Sequence, residues 1–243
     1  MIRVAADLHV HTCLSPCADR RMRPPAIVEA AIARGIGMIG VCDHNSAGNV
    51  RAVAAAAAAA AGRLRVIAGM EIMTREEAHV VGLFPSATAA EDAAREVAAS
   101  LPLCRAPQEQ ELVDADGAAV GLEQLMLSAA SGLSLEETVD LVHRHGGYAI
   151  AAHVDRRSFS VPSQLGFIPP GSNFQALEIS AHGARIGRAS AFAGLGYPLT
   201  SASDAHDPDL VGDGFVVIDV EGPDFDELGL ALAGADGRRC AIA

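Results

Sequence analysis

The sequence predicts an α/β fold, with strands in a parallel sheet or a barrel. Three observations carry that expectation. Strand-like and helix-like runs alternate along the 243 residues, the pattern of repeated βα units. Half of the residues are hydrophobic, and the charged 20% are well mixed, so a large core can form and disorder is disfavoured. Histidine, aspartate and glutamate recur at the ends of the strand-like runs, where parallel α/β barrels build their sites.

The elements follow in order. IRVAADLHV is a strand. After Pro24 and Pro25, AIVEAAIARG has the apolar period of a helix, closed by Gly35. MIGVCDH is a strand, and an alanine-rich helix runs from about Ser46, an N-cap residue type, to Gly62. RVIAGMEI and AHVVGLF are strands, and ATAAEDAAREVAAS is a helix. Residues 101–134 break the pattern with proline, acidic residues, the turn DADG and no clear period. They read as an insertion, either a lid or rim element or an ordinary surface excursion. LEETVDLVHRHGG then reads as a helix, YAIAAH and FQALEIS as strands, and ARIGRASAFAGLG as a helix. PLTSASDAH and FVVIDV are strands, and FDELGLALAG is the last helix. The expectation is one domain over 1–243 with the insertion at 101–134.

The formal net charge is −12. That disfavours binding along a nucleic acid backbone, which needs a basic surface, so no long nucleic acid partner is expected. A small anionic substrate remains compatible, because bound cations can reverse the local field. Five cysteines do not make a disulfide framework in a chain of this length, which points to a reducing compartment. The strand-like start leaves no room for a leader, and the run Ala54 to Ala61 is too short and weakly hydrophobic to span a bilayer. A cytoplasmic protein with no membrane partner is expected; the oligomeric state is not readable.

Polar residues placed on these elements fall at strand ends. His9 and His11 end the first strand, Asp43 and His44 the second, and Glu71 the third. His153 ends YAIAAH, and Asp204 and His206 end PLTSASDAH. On a strand, HVH aims both imidazoles to one face, about 7 Å apart by strand rise, so both can converge on one ion. HRH at 143–145 has the same spacing on a helix, where positions i and i+2 lie about 200° apart and cannot converge. His143 and His145 are therefore read as favourable charges near a helix C-terminus closed by Gly146.

With DLHVHT, VCDHN, GMEI followed by AHVVGLF, AAHVD and SDAH in order, the chain resembles the PHP family. These are the polymerase-and-histidinol-phosphatase-type metal-dependent phosphoesterases, and the match covers nearly the whole chain. The resemblance implies a distorted TIM-like (β/α)7 barrel, with two or three divalent metals at the C-terminal ends of its strands. Carried over by residue, it puts His9, His11, Glu71 and Asp204 on a first metal. Glu71 bridges to a second, completed by His79 and His153. His44, His206 and one residue of the SPCAD loop hold a third. Imidazole with carboxylate suits zinc, manganese or iron(II). Asp7 and Asp43, beside the ligands, are expected to orient imidazoles. The SPCAD loop departs from the family's short turn. Asp19 keeps the five-residue spacing to Pro24 and is the expected ligand, while Cys17 sits at the spacing from His9 that other members fill with histidine and stays open. With two cysteines local, a Cys13/Cys17 redox pair or iron–sulfur site is disfavoured.

The implied activity is hydrolysis of a phosphoester on a small phosphorylated metabolite or nucleotide, by hydroxide that the cations supply near neutral pH. Glu71, Asp204 and His206 are the expected catalytic residues, Asp204 or His206 serving the leaving oxygen. Arg156 and Arg157, just past His153, with Arg185 and, further on, Arg188, are candidates to grip phosphate. An amidohydrolase-type enzyme cleaving C–N bonds also uses a strand-end HxH. SDAH, by supplying both Asp204 and His206, favours a third metal and the phosphoesterase. A regulatory module without turnover would show a degenerate ligand set, and this one looks complete.

Overall fold

The computed structural model describes residues 1–104 and 109–243. Its first part runs β1 (Ile2–Val10), α1 (Pro24–Ala33), β2 (Met38–Val41), α2 (Val50–Ala59), β3 (Arg65–Met73), β4 (His79–Phe84) and α3 (Ala87–Ala98). A small hairpin follows, β5 (Glu111–Val113) and β6 (Ala119–Leu122). Then come α4 (Leu135–Arg144), β7 (Tyr148–Ala151), α5 (Val161–Leu165), β8 (Ala176–Ser180) and α6 (Ala181–Arg185). The chain closes with β9 (Leu199–Ala202), β10 (Val216–Val220), α7 (Phe225–Ala233) and β11 (Arg239–Ile242).

The main sheet has the order β11-β10-β1-β2-β3-β4-β7-β8-β9. It curls until β9 returns to β1. Val10 pairs in parallel with Ala205, and the His11 N–H donates to the Ala205 carbonyl at 3.0 Å. The rest of that edge of β1, Ile2 to Ala6, is taken by β10. The result is a nearly closed barrel with an antiparallel β10–β11 flap. One apolar cluster ties the strands to the helices around them through Val10, Ile27, Ile39, Val53, Phe84 and Leu141. Another ties them to α7 through Leu8, Met38, Ile218 and Leu228. Strands β1 and β2 approach so closely that a Cβ on Gly40 would lie 2.3 Å from the Leu8 carbonyl oxygen, which is why glycine stands there.

Besides β10, which runs antiparallel to β1, the strand that departs from a parallel barrel is β4, antiparallel to both β3 and β7. The reason is length: residues 74–78 are too few for a parallel crossover. The tight return has a consequence for the site, because Met73 pairs with His79 and the start of β4 therefore shares a rim with the end of β3. The helix expected over 184–196 is broken into α6 and two 3-10 turns, Arg188–Ala191 and Ala193–Leu195. Gly187, at positive φ, interrupts it, and Gly196, also at positive φ, ends the last turn. Ser46 does not cap α2; its hydroxyl accepts from Gly48 N–H instead, and α2 starts at Val50.

Within 101–134, β5 and β6 form a hairpin about the DADG turn, where Asp114 Oδ1 accepts from Asp116 and Ala118 N–H. Residues 105–108 of this stretch lie outside the described residues. Asn49 anchors the hairpin, donating to the Glu111 carbonyl at 3.0 Å and accepting from Val113 N–H at 3.0 Å. Glu111 N–H donates to the Cys13 carbonyl, so the excursion rests on the loop that follows β1.

Candidate metal centre

The site starts from the end of β1. His9 Nδ1 faces the Glu178 carboxylate at 3.1 and 3.2 Å. His11 Nδ1 donates to Ser15 Oγ at 2.9 Å, and that hydroxyl donates in turn to Asp43 Oδ1 at 2.6 Å. With both Nδ1 atoms engaged, the Nε2 lone pairs of His9 and His11 point at each other across 3.1 Å. Asp204 Oδ1 lies 3.4 Å from His9 Nε2 and 2.9 Å from His11 Nε2. Two lone pairs and ionised oxygens at this separation repel unless a proton or a cation sits among them.

Glu71 occupies the middle. Its Oε1 meets His79 Nδ1 at 2.8 Å, His153 Nε2 at 3.1 Å and His9 Nε2 at 3.5 Å. Its Oε2 meets His44 Nδ1 at 2.9 Å and His11 Nε2 at 3.4 Å. Four buried atoms here, His44 Nδ1, His79 Nε2, His153 Nδ1 and Glu71 Oε2, have no aligned hydrogen-bond partner, an unfavourable arrangement for polar groups away from water. Three groupings bring candidate ligand atoms within 4.8 Å of one another: His9, His11, Glu71 and Asp204; His44, Glu71 and His79; and His11, His44 and His206. The donor set of imidazole and carboxylate fits divalent transition metals.

The protonation balance leads to the same conclusion. Burial resists charging His9, yet Glu178, Glu71 and Asp204 around it hold its pKa well above the ordinary value. Burial, with His206 and His44 nearby, holds His11 well below. Glu71 stays ionised against its burial because His79, His9 and His44 surround it. Asp204 does so beside His9 and His11. The carboxylates thus demand positive charge, which protons or metal ions can supply in competition.

The last motif hangs from Asp7. This buried carboxylate accepts from Ser203 N–H at 2.9 Å and Gly212 N–H at 2.8 Å, and burial pushes it up to about 6 against those hydrogen bonds. Asp7 therefore fixes the loop that carries Asp204 and His206, rather than an imidazole as the sequence suggested. Asp43 does reach an imidazole, through Ser15. His153 and Asp204 both have positive φ, 29° and 50°. Such backbone is costly outside glycine and gathers at functional sites.

The structure does not bring the Asp19 side chain to the histidines. Its carboxylate is 41% exposed and accepts from its neighbour, Arg21, at the backbone N–H (2.8 Å) and at Nε. What meets His206 is the Asp19 backbone, whose N–H donates to the His206 carbonyl at 2.8 Å. Cys17, two residues earlier, stays exposed on the rim, its thiol partly sheltered beside His206 and His44. Burial opposes its ionisation, but His206 and His44 draw the thiol down to about 6, and His44 rises in return to about 10, chiefly through Glu71 and Cys17 against its burial.

Arg156, Arg157 and Arg185 line one cavity beside the cluster. Arg156 also reaches Asp204 Oδ2 at 2.6 Å. The helical HRH behaves as its period requires: His143 pairs with Gln175 and His145 with Glu96, away from the site. Sequence reasoning missed Glu178. A carboxylate inside the short, wholly buried strand ALEIS was the available signal, since buried carboxylates need a partner.

A nearly closed α/β barrel whose imidazoles and carboxylates converge at one rim defines a class of metal-dependent hydrolases. The sequence profile of the PHP domain matches residues 7–165, and the chain belongs to that family. No curated protein matches it. Among solved structures, the lesion-specific endonuclease from Pyrococcus furiosus is similar over 98% of this chain and 58% of its own, at 19% identity and a TM-score of 0.71. Endonuclease Q in complex with a 27-mer duplex bearing an abasic lesion at the active site is similar over the same shares, at 17% identity and 0.66. A candidate metal-dependent phosphoesterase from Bifidobacterium adolescentis is similar over 84% of this chain and 88% of its own, at 17% identity and 0.57. At these identities the likeness is one of fold, and the chain spans 58% of the endonuclease's length.

One expectation is corrected by this. The −12 net charge was read as excluding long nucleic acid, yet a protein sharing this fold holds duplex DNA at its active site. Total charge is a poor guide because a substrate meets the local field of a cleft. Among the described residues no helix is long and apolar enough to cross a membrane.

Proposed function

We propose that the chain is a metal-dependent phosphoesterase, acting on a phosphoester carried by a nucleotide, a nucleic acid strand or a small metabolite. The observation that carries this reading is the pair of facing Nε2 atoms, His9 and His11, 3.1 Å apart with Asp204 and Glu71 around them. On this reading 1–243 is one barrel domain and 101–134 a rim insertion. His9, His11, Glu71 and Asp204 hold one ion; Glu71, His79 and His153 hold another; His44, His206 and Cys17 hold a third, Cys17 replacing Asp19 in that role. Zinc, manganese and iron(II) all suit the donors. Bound there, divalent ions supply Lewis acidity toward phosphoryl oxygens and a lowered pKa for water.

The chain's own groups do the rest. Glu178 keeps the His9 proton on Nδ1, and Ser15 with Asp43 keeps that of His11 on Nδ1, so that both Nε2 lone pairs stay available. Arg156, beside Asp204, can turn its remaining N–H donors to a phosphoryl oxygen. His206 gives its Nδ1–H to the Asp204 carbonyl at 2.8 Å, which leaves its Nε2 lone pair available to the third ion. The test is an assay of phosphomonoesters and phosphodiesters with added manganese or zinc. Turnover should be lost with chelator and in Glu71→Gln, because a neutral amide bridges two cations poorly, while the fold persists by circular dichroism. Near-normal turnover in Glu71→Gln, or cleavage of C–N bonds in place of phosphoesters, would overturn the reading.

A further inference from the structure

Asn49 stands at the N-cap position of α2, where an asparagine side chain ordinarily accepts from the helix's own N–H groups. Its side chain makes no such bond and reaches across the fold instead. We infer that Asn49 is a positioning residue for the metal centre: through Thr12, Asp43 and Ser15 it holds His11, and it makes metal binding depend on the docked β5–β6 hairpin. This rests on the metal-dependent reading above.

The hydrogen bonds form one line from the hairpin to the imidazole. Asn49 Nδ2 donates to the Glu111 carbonyl at 3.0 Å and to Thr12 Oγ1 at 2.9 Å, and Asn49 Oδ1 accepts from Val113 N–H at 3.0 Å. Thr12 Oγ1 donates to Asp43 Oδ2 at 2.7 Å, and Thr12 N–H donates to Asp43 Oδ1 at 2.7 Å. Ser15 Oγ donates to Asp43 Oδ1 at 2.6 Å and accepts from His11 Nδ1 at 2.9 Å. Asn49, Thr12, Asp43 and Ser15 are all buried. The directions are fixed. Asp43, receiving three donors, serves as acceptor only, so each hydroxyl gives its one proton to it. Thr12 Oγ1 then accepts from Leu14 N–H at 3.1 Å besides Asn49, and Ser15 Oγ from His44 N–H at 3.2 Å besides His11. Both hydroxyls have one donor and two acceptor positions filled, so nothing is left over to replace a lost partner in this buried network.

The hairpin docks on the same loop by other contacts too. Val113 packs with Cys13 and Ala52, Glu111 N–H donates to the Cys13 carbonyl at 3.2 Å, and Arg23 pairs with the Glu111 carboxylate. Undocking would strip Asn49 of Glu111 and Val113 and free its amide to turn away from Thr12. Linkage then runs both ways: if the docked hairpin raises metal affinity, bound metal stabilises docking by the same factor.

The test uses the full chain, native and as Asn49→Ala, Thr12→Val and Thr12→Ser. Manganese affinity is read by competition with a chelator, and docking by hydrogen exchange of the amides of 111–122. Asn49→Ala and Thr12→Val should each lose about tenfold in affinity, while Thr12→Ser, which keeps the hydroxyl, stays near native. Valine matches threonine in shape and leaves Asn49 bonded to Glu111 and Val113, so Thr12→Val cuts the line without undocking the hairpin. Should Asn49→Ala fail to fold, the two Thr12 variants decide alone. In the native chain manganese should slow exchange across 111–122 more than across α7, which packs on β10 and β11. In Thr12→Val that extra protection should vanish. Native affinity in Thr12→Val, an equal loss in Thr12→Ser, or native hairpin exchange indifferent to manganese would overturn the inference. A native chain that binds no manganese at all is a different result, which would sink the metal centre itself and this inference with it.

Discussion

Glu178 Oε2 and His9 Nδ1 lie 3.1 Å apart although 169 residues separate them in the chain. Strand β8 delivers the carboxylate to the imidazole, and the same carboxylate accepts from the His153 N–H at 3.1 Å. One buried group thus sets two of the histidines that face Glu71.

Removing it should therefore weaken metal binding without removing a ligand. In Glu178→Ala, affinity for manganese or zinc should fall about 10–100-fold, read by competition with a chelator. Glu178→Gln, which can still accept from both partners, should fall less. Unchanged affinity in the alanine variant would show that His9 needs no orientation from outside.

The loop after β1 gives a second prediction. Asp19 turns its carboxylate to Arg21, whereas His206 and His44 draw the Cys17 thiol down to about 6. Cys17→Ser should lose the outer ion and shift metal preference away from zinc, since thiolate is the soft member of the set. Asp19→Ala should keep every ion. The opposite pair of results would return the role to Asp19, as the spacing to Pro24 suggested.

Asp7 gives a third. It is fully buried and satisfies Ser203 and Gly212 N–H. Asp7→Ala would leave two buried donors without an acceptor, a loss on the order of 2 kcal/mol or more, measurable by urea denaturation. Metal content should fall with it, because Asp204 and His206 ride on the loop that Asp7 holds. Retained stability with retained metal would show that the loop is fixed by other contacts.

Much of this was legible because period and spacing suffice where the structure is local. The first strand has the bounds of IRVAADLHV, and the opposite readings of HVH and HRH hold because two residues along a strand return to one face while two along a helix do not. Legibility failed where distant residues decide. Glu178 becomes informative once β8 is known to reach His9. The antiparallel β4 was within reach, since residues 74–78 are too few for a crossover. The edge strand β11, with its alternating half-exposed residues, forms because β10 offers a free edge. The Asp19 carboxylate faces Arg21 because the loop turns at the His206 carbonyl, which spacing does not encode.

Elemental analysis of the native protein, purified without chelator and again after saturation with manganese or zinc, tests the metal centre most directly. Glu71 faces five imidazoles through both its oxygens, more donors than one tetrahedral or octahedral ion can use together with Asp204 and His206. More than one divalent ion per chain is expected, falling in Glu71→Gln while circular dichroism stays native. A saturated protein that holds one ion or none would contradict the account.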